Sequence, residues 1–269
     1  MSLAIIAGKG DLPQMIINKC LKDKRKFILV LIKGQLYDKD YSKYNPHIIH
    51  IGHIGEALRI FKENEITQIV LAGGISKPSM ANIKVDSKGA ILLSKITKAK
   101  LFGDNNVLTS VTKFFEKEGF EIIGVDQIID NLLTKKGVLG KIKPSKENLQ
   151  DIELGKNLIK AISEFDVGQS VVTQQKQILS IEDVGGTDAL INRCGNLQLK
   201  IGSKPVLVKI KKSGQNTKVD LPSLGVETIH NLHKSNFAGV ALEAKSSLII
   251  NKEEVLKLAN QYDIFLIGI

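Results

Sequence analysis

The sequence contains few of the residues that mark several common protein classes. Among its 269 residues there is no Trp, aromatic residues make up 5%, and there are two cysteines. So few aromatic rings argue against a base-stacking nucleic-acid surface and against a Trp-rich sugar platform. Cys20 and Cys194 form no CxxC pair, so neither a disulfide framework nor a zinc motif is expected, and a reducing cytoplasm is the expected compartment.

Long apolar runs and several catalytic motifs are also missing. No stretch approaches the roughly 20 apolar residues that a membrane-spanning helix needs. The N-terminal MSLAIIAGKGDLP has no basic segment before its short apolar run, so we expect a first β-strand there rather than a signal peptide. Contact with a membrane is therefore expected only at its surface. The sequence also lacks a GxSxG turn, a Walker lysine and an HExxH motif.

Acidic residues are outnumbered by basic ones, and this gives a net charge of +10. Such a charge favours anionic partners: phosphates, nucleic acid or an anionic membrane surface. The alternative is a generally lysine-rich composition, because lysines also populate the helices predicted in the N-terminal half. A hydrophobic content of 43% is ample for a folded core.

The N-terminal half alternates strands with helices. Strands are predicted at Leu3–Ala7, Phe27–Ile32 and Gln68–Ala72, and helices at Leu12–Leu21 and Ile54–Asn64. This alternation predicts an α/β fold with a Rossmann-like parallel sheet and right-handed crossovers.

Two glycine turns follow strands of this predicted sheet, at the edge where such sheets bind ligands. Their candidate substrate-binding residues are Gly8, Gly10, Asp11, Gly73 and Gly74. Alternatively, the glycines only permit tight turns. The dinucleotide-binding pattern is incomplete, since Pro13 replaces its third glycine and the second strand ends in Lys33 and Gly34 rather than in an acid.

A change of pattern near residue 140 predicts two domains, 1–140 and 141–269. Gly137, Gly140 and the Pro144–Ser145 pair lie near this boundary and suggest a linker. The second domain is predicted to be mixed α/β, with a helix at Asp151–Phe165 and a hairpin formed by Ser170–Thr173 and Ile178–Ile181.

A basic stretch in the second domain is the strongest candidate for a phosphate site. A strand is predicted over Lys200–Lys212, followed by a small polar loop and then by the isolated acid Asp220. Lys209 and Lys212 flank the loop and are the preferred phosphate contacts, whereas the other lysines suit a solvated strand face. The loop residues Gly214, Gln215 and Asn216 are candidates to approach the substrate. This pattern suits a phosphorylated substrate held with a metal ion.

Asp220 and Asp188 are the preferred catalytic carboxylates and Mg²⁺ ligands, because Mg²⁺ is bound by one or two carboxylates plus substrate phosphates. The alternatives are turn chemistry for Asp220 and a favourable helix-dipole charge for Asp188. Thr187 is predicted to cap a helix whose N-terminus can receive a phosphate. Asp166 and Gln169 form a further polar cluster. His230 and His233, three apart on a predicted helix, lack a third ligand nearby and are assigned a surface or structural role.

Several segments together resemble one family. They are IIAGKGDLP from Ile5, FDVGQSVV from Phe165, GTDALI from Gly186, LVKIKKSGQNTKVDLPSLG from Leu207 and AGVALEA from Ala238. This combination resembles the LpxI-type UDP-2,3-diacylglucosamine pyrophosphatases of lipid A biosynthesis over essentially the whole chain. The resemblance implies Mg²⁺-dependent hydrolysis of UDP-2,3-diacylglucosamine to UMP and 2,3-diacylglucosamine 1-phosphate. It also implies a cytoplasmic protein in peripheral contact with the inner membrane.

The chain departs from the family pattern at Asn216, where an acid is common, at Lys218, where an Arg is common, and at Gly185, where a Glu is usual. Asn216 cannot act as a general base, so the catalytic carboxylate role falls on Asp220 and Asp188. These departures motivate an alternative, a non-catalytic sensor of nucleotide sugars or phosphate on the same fold. Nucleic-acid binding by the basic stretch is disfavoured because aromatic residues are not interleaved with its lysines.

Overall fold

A computed structural model describes residues 2–76, 83–99, 105–165, 167–200, 202–212 and 217–269. The chain divides into two compact units. The first comprises Met1–Asp130 with Asn216–Asp220, and the second comprises Asn131–Gln215 with Leu221–Ile269. Over the described ranges, no helix is both long and apolar enough to cross a membrane.

The N-terminal unit is built on a five-stranded parallel sheet with the order β3-β2-β1-β4-β5. Its strands are β1 (Ser2–Ala7), β2 (Phe27–Ile32), β3 (His47–Ile49), β4 (Ile66–Ala72) and β5 (Glu121–Ile122). Its helices are α1 (Leu12–Lys22), α2 (Ile54–Glu63), α3 (Ser87–Ala99) and α4 (Asn105–Lys117). The predicted Rossmann-like sheet is confirmed. The chain leaves β1 on one side for β2 and returns on the other for β4, so the switch point lies between β1 and β4.

A cluster of phenylalanines fills part of the core of this unit. Phe61 of α2 is fully buried and contacts the rings of Phe115 and Phe120 at centroid distances of 6.0 and 5.5 Å. These rings pack with the aliphatic side chains of β1, β2 and β4. The apolar spacing of α2 therefore reflects one buried helix face.

A short segment from late in the chain belongs to the N-terminal unit. Val219 packs against the core of that unit, and Lys218 Nζ lies 3.2 Å from Glu116 Oε1. Asp220 follows directly and is half-buried. The contacts of this segment thus attach Asp220 to the N-terminal unit, although its position in the sequence groups it with the second half.

The C-terminal unit contains a six-stranded mixed sheet with the order β6-β13-β11-β9-β7-β8. Its strands are β6 (Gly137–Val138), β7 (Ser170–Gln174), β8 (Gln177–Ile181), β9 (Val206–Lys209), β11 (Gly239–Leu242) and β13 (Phe265–Gly268). β9, β11 and β13 are parallel, whereas β6 and β7 pair antiparallel with their neighbours. The small parallel pair β10 (Ser223–Leu224) and β12 (Leu248–Ile249) stands apart. The mixed α/β prediction is confirmed.

The helices of the C-terminal unit are α5 (Lys146–Ile162), α6 (Gly186–Gly195), α7 (Val226–Lys234) and α8 (Lys252–Gln261). α5 begins before the predicted start at Asp151, because Ser145 caps it by accepting a hydrogen bond from the Asn148 amide while the Asn148 side chain returns to the Ser145 amide. Gly137–Val138, within the stretch that suggested a linker, forms the edge strand β6.

The predicted hairpin is confirmed, and the long basic strand is wrong in its extent. β7 and β8 are joined at Gln175 and Lys176, both with positive φ, and Asp151 accepts hydrogen bonds from both of their amides, at 3.0 and 2.6 Å. The strand predicted over Lys200–Lys212 is only β9, because Gly202 at φ +95° and Pro205 interrupt extended pairing before it.

Candidate functional site

A connected polar network lies at the carboxyl end of β9. Lys209 Nζ donates to Thr187 Oγ1 at 2.9 Å, and Thr187 Oγ1 in turn donates to Glu182 Oε1 at 2.8 Å. The second carboxylate oxygen, Oε2, accepts the Gln169 amide hydrogen at 3.0 Å. The Ser170 hydroxyl lies 3.4 Å from Thr187 Oγ1. The network therefore joins the end of one strand, the start of α6 and the turn after β8.

The charged groups of this network are buried, so their removal from water has to be offset by specific partners. Lys209 is 7% exposed, Glu182 is 8% exposed and Ser170 is fully buried. An ammonium and a carboxylate at this depth need opposite charge and hydrogen-bond partners, because desolvation of either ion costs several kcal/mol. The hydrogen bonds from Lys209 to Thr187 and from Thr187 and the Gln169 amide to Glu182 supply part of that compensation within the C-terminal unit.

Gly168 allows the turn before β7 to lie directly against Glu182. The Gly168 amide donates to the Glu182 carbonyl at 3.2 Å, and the Glu182 amide donates to the Ser170 carbonyl at 2.9 Å. A Cβ atom on Gly168 would lie 2.3 Å from the Glu182 Cβ, so no larger residue fits. The glycine thus holds the Gln169 amide within reach of the Glu182 carboxylate.

Thr187 does not cap α6, so that prediction is wrong. The N-cap residue is Gly185, and the Thr187 hydroxyl is directed to Glu182 and Lys209 instead. The turn before α6 is braced by Asp183, which accepts hydrogen bonds from the Gly185 amide at 2.8 Å and from Arg193 Nη1 at 2.9 Å. The Gly185 amide, followed by the Arg193 charge, holds the pKa of Asp183 below its ordinary value, against the effect of desolvation.

In the N-terminal unit, the two glycine turns lie against each other at the switch point. Lys9 and Gly74 exchange backbone hydrogen bonds of 2.7 and 3.1 Å, and the Gly8 amide donates to the Ala72 carbonyl at 2.7 Å. A Cβ atom on Gly8 would lie 2.4 Å from the Gly74 carbonyl oxygen, and one on Gly73, at φ +86°, would lie 2.2 Å from the Lys9 carbonyl oxygen. Gly8 and Gly73 are therefore required by this close approach.

Two residues that the sequence patterns did not single out join the first turn. Asp38 Oδ2 accepts the Gly10 amide hydrogen at 2.6 Å, and Lys39 Nζ lies 3.0 Å from Asp11 Oδ1. The second strand does not end in an acid, but Asp38, which lies beyond the end of β2, contacts the glycine turn. The spacing of Asp38 from β2 carries no signal of this contact.

Comparisons with known proteins cover nearly the whole chain. The family model of the LpxI N-terminal domain matches residues 2–132, and that of the LpxI C-terminal domain matches residues 135–267. The chain is also 30% identical, over 272 aligned positions, to "UDP-2,3-diacylglucosamine pyrophosphatase LpxI" of Caulobacter vibrioides, an alignment that covers 99% of this chain and 97% of that protein. The chain belongs to the LpxI family.

Within this LpxI-family chain, the motif residues are distributed over both units. Thr187, Lys209 and Gln169 come together in the C-terminal network. Glu182 was not among the predicted site residues, although its place in an acid-rich run before GTD was a signal that could have identified it. Lys212 lies half-buried beyond the end of β9. Four of the predicted residues lie outside the described ranges: Asp166, Gly214, Gln215 and Asn216.

The two predicted metal ligands of this LpxI-family protein belong to different units. Asp188 is exposed in the first turn of α6, and its Oδ1 accepts a hydrogen bond from Asn231 Nδ2 at 3.0 Å. Asp220 belongs to the N-terminal unit. In the parts of the chain that the structure describes, no three His, Cys, Asp or Glu side chains form a ready metal site. The role of both aspartates as metal ligands stays a prediction.

His230 and His233 contact an aromatic side chain, and both cysteines are buried. The His233 ring stacks on Tyr262 at 4.0 Å, and His230 Nδ1 lies 3.2 Å from the Tyr262 hydroxyl, which agrees with the predicted structural role. Cys20 and Cys194 are buried free thiols, and burial raises the pKa of Cys194 to about 11.

Proposed function

We propose that this protein hydrolyses the pyrophosphate of UDP-2,3-diacylglucosamine in lipid A biosynthesis, releasing UMP and 2,3-diacylglucosamine 1-phosphate. The observation that carries the proposal is the similarity, over 99% of the chain, to a protein named for this activity. In the reaction, water adds to one phosphorus of the pyrophosphate, and the bridging oxygen leaves with the other phosphate.

Lys209 is the group proposed to offset the negative charge that develops on the phosphates. Its ammonium is held at the carboxyl end of β9 by the Thr187 hydroxyl. A positive charge fixed in a largely dry site stabilises developing charge more strongly than one in water. Lys212 and the backbone of Gly214 and Gln215 are proposed to bind the same phosphates, and Asp166, Gln169 and Asn216 to contact the substrate.

Mg²⁺ is the proposed cofactor, with Asp220 and Asp188 as its carboxylate ligands. Both offer the hard oxygen donors that this ion requires, and Mg²⁺ is commonly held by one or two carboxylates together with substrate phosphates. When bound, the ion would supply neutralisation of phosphate charge. Asp188 is already oriented by its hydrogen bond from Asn231.

The paired glycine turns of the N-terminal unit are proposed to bind another part of the substrate. Gly8, Gly10 and Asp11 follow β1, and Gly73 and Gly74 follow β4, so they flank the switch point of the parallel sheet. A cytoplasmic location with transient contact at the inner-membrane surface is proposed because the substrate carries acyl chains and the protein has a net charge of +10.

The decisive experiment is to incubate the purified protein with UDP-2,3-diacylglucosamine, with and without Mg²⁺, and to measure UMP and the lipid 1-phosphate. We expect UMP release that EDTA abolishes and that added Mg²⁺ restores. Tight binding of the substrate with no UMP at any divalent metal would instead support the sensor alternative, which the departures at Asn216 and Gly185 motivate.

A further inference from the structure

Glu182 is a buried carboxylate that the proposed chemistry does not yet use. We infer that Glu182 positions the Lys209 ammonium for the reaction by orienting the Thr187 hydroxyl that contacts it. The inference rests on the function proposed above and concerns a positioning residue, since Glu182 reaches Lys209 through Thr187.

The donors and acceptors of this chain of contacts have a fixed direction. An ammonium can only donate, and an ionised carboxylate can only accept. Thr187 has a single hydroxyl proton, and because that proton goes to Glu182 Oε1, the Thr187 oxygen presents its lone pairs to Lys209 Nζ. The carboxylate therefore determines how the hydroxyl is turned, and the turned hydroxyl offers the ammonium an acceptor at 2.9 Å.

Asp151 of α5 shows what a purely structural carboxylate looks like against the same hairpin. It is fully buried, and its two oxygens accept the backbone amides of Gln175 and Lys176 at the closed end of β7 and β8. Glu182, at the open end, binds one backbone amide but directs its other oxygen to a hydroxyl that leads to a buried ammonium. The contact between Glu182 and the Thr187 hydroxyl is not needed to hold the backbone at Gln169. It is therefore the reason to assign Glu182 a positioning role.

The test uses isosteric variants and UMP release as the measurement. Glu182→Gln keeps the shape but supplies only one acceptor oxygen for two donors, and Thr187→Val keeps the shape but removes the hydroxyl. Each is expected to lower kcat roughly 10–100-fold, with a much smaller change in KM. Thr187→Ser retains the hydroxyl and is expected to recover most of the kcat that Thr187→Val loses.

A double variant and a matched control separate positioning from folding. If Glu182 acts through Thr187, Glu182→Gln added to Thr187→Val lowers kcat no further than Thr187→Val alone. Asp151→Asn is expected to lower the free energy of unfolding while leaving kcat near that of the wild type. Urea unfolding of every variant identifies those that fold.

The outcomes distinguish this inference from the proposed function. A wild-type protein that releases no UMP overturns the proposed function and this inference with it. An active wild type with an unchanged kcat in Glu182→Gln overturns the inference alone, as do fully additive losses in the double variant. If Glu182→Gln fails to fold, a kcat of Thr187→Val equal to that of the wild type overturns the inference by itself.

Discussion

Among single residues, Asp220 is the one on which the proposed chemistry depends most directly. It is half-buried and belongs to the N-terminal unit. Asp220→Asn and Asp220→Ala are expected to abolish Mg²⁺-dependent UMP release and to change the free energy of unfolding by less than about 1 kcal/mol. UMP release and urea unfolding measure the two effects.

Asp130→Ala provides the matched control for that experiment. Asp130 belongs to the same unit, and its side chain is 84% exposed, so both activity and stability are expected to stay close to those of the wild type. Full UMP release by Asp220→Asn would remove Asp220 from the catalytic assignment.

A second group of single residues is connected by hydrogen bonds: Glu182, Thr187 and Lys209. Their mutual contacts join two stretches that are separate in the sequence, the run from Glu182 to Thr187 and the end of β9. Lys209→Met removes the ammonium itself and is therefore the reference against which the losses of Glu182→Gln and Thr187→Val are compared.

At the scale of elements, the close backbone approach of the two glycine turns predicts which glycine substitution destabilises the protein. Gly73→Ala places a Cβ atom 2.2 Å from the Lys9 carbonyl oxygen at φ +86°, so the pairing of the two turns must open. We expect a loss of roughly 1–3 kcal/mol in the free energy of unfolding, measured with urea. Gly74→Ala is the control, because its added Cβ meets nothing within 4 Å, and equal losses in both variants would refute the explanation.

One carboxylate caps two helices of the N-terminal unit. Asp86 Oδ2 accepts the amides of Gly55 and Glu56 at the start of α2, and Oδ1 accepts the Gly89 amide in the first turn of α3. Desolvation acts to raise the pKa of Asp86, but these amide hydrogen bonds outweigh it and lower the pKa below its ordinary value. The Asp86 carboxylate thus connects the N-termini of α2 and α3, which are far apart in the sequence.

Asp86→Ala is expected to lower the free energy of unfolding at pH 7 by about 0.5–2 kcal/mol, because it removes every acceptor of these amide hydrogen bonds. Because the pKa is lowered on folding, the carboxylate stabilises the protein above its unfolded pKa of about 3.9 and loses this effect as the pH falls through the folded-state pKa. Urea unfolding from pH 7 to about pH 3 measures this, and the difference between variant and wild type should shrink towards acid. A difference that is independent of pH would contradict the assignment.

At the scale of the whole molecule, net charge and exposed apolar residues give a prediction about membranes. The chain has a net charge of +10, and Phe165 and Val184, which are largely exposed, flank the segments that carry Gln169 and Glu182. We expect sedimentation with anionic vesicles, little with zwitterionic ones, and a decline as salt rises from about 0.05 to 0.5 M. Phe165→Ser combined with Val184→Ser should reduce the bound fraction.

Leu149→Ser is the control for the apolar part of this prediction, since Leu149 is an exposed apolar residue of α5. An equal reduction by Leu149→Ser would show that Phe165 and Val184 have no special role. Binding that does not depend on salt would refute the electrostatic contribution.

The sequence by itself determined the elements and the family. Alternating apolar strands and amphipathic helices predicted the parallel sheet of the N-terminal unit, because burial of strand and helix faces leaves a local periodicity. The hairpin of β7 and β8 and the approximate bounds of α1 and α2 followed from the same periodicity and from turn residues. The motifs around Gln169, Thr187 and Lys209 were sufficient to indicate the LpxI family.

Only the tertiary structure decided which residues meet. Lys218 contacts Glu116, Asp38 reaches Gly10, and Glu182 turns Thr187 towards Lys209, yet no local pattern marks these pairs. The physical reason is that periodicity records whether a side chain is buried, whereas partners are chosen by the path of the chain between distant segments. For the same reason, the attachment of Asp220 to the N-terminal unit followed from the packing of Val219 and not from the order of the sequence.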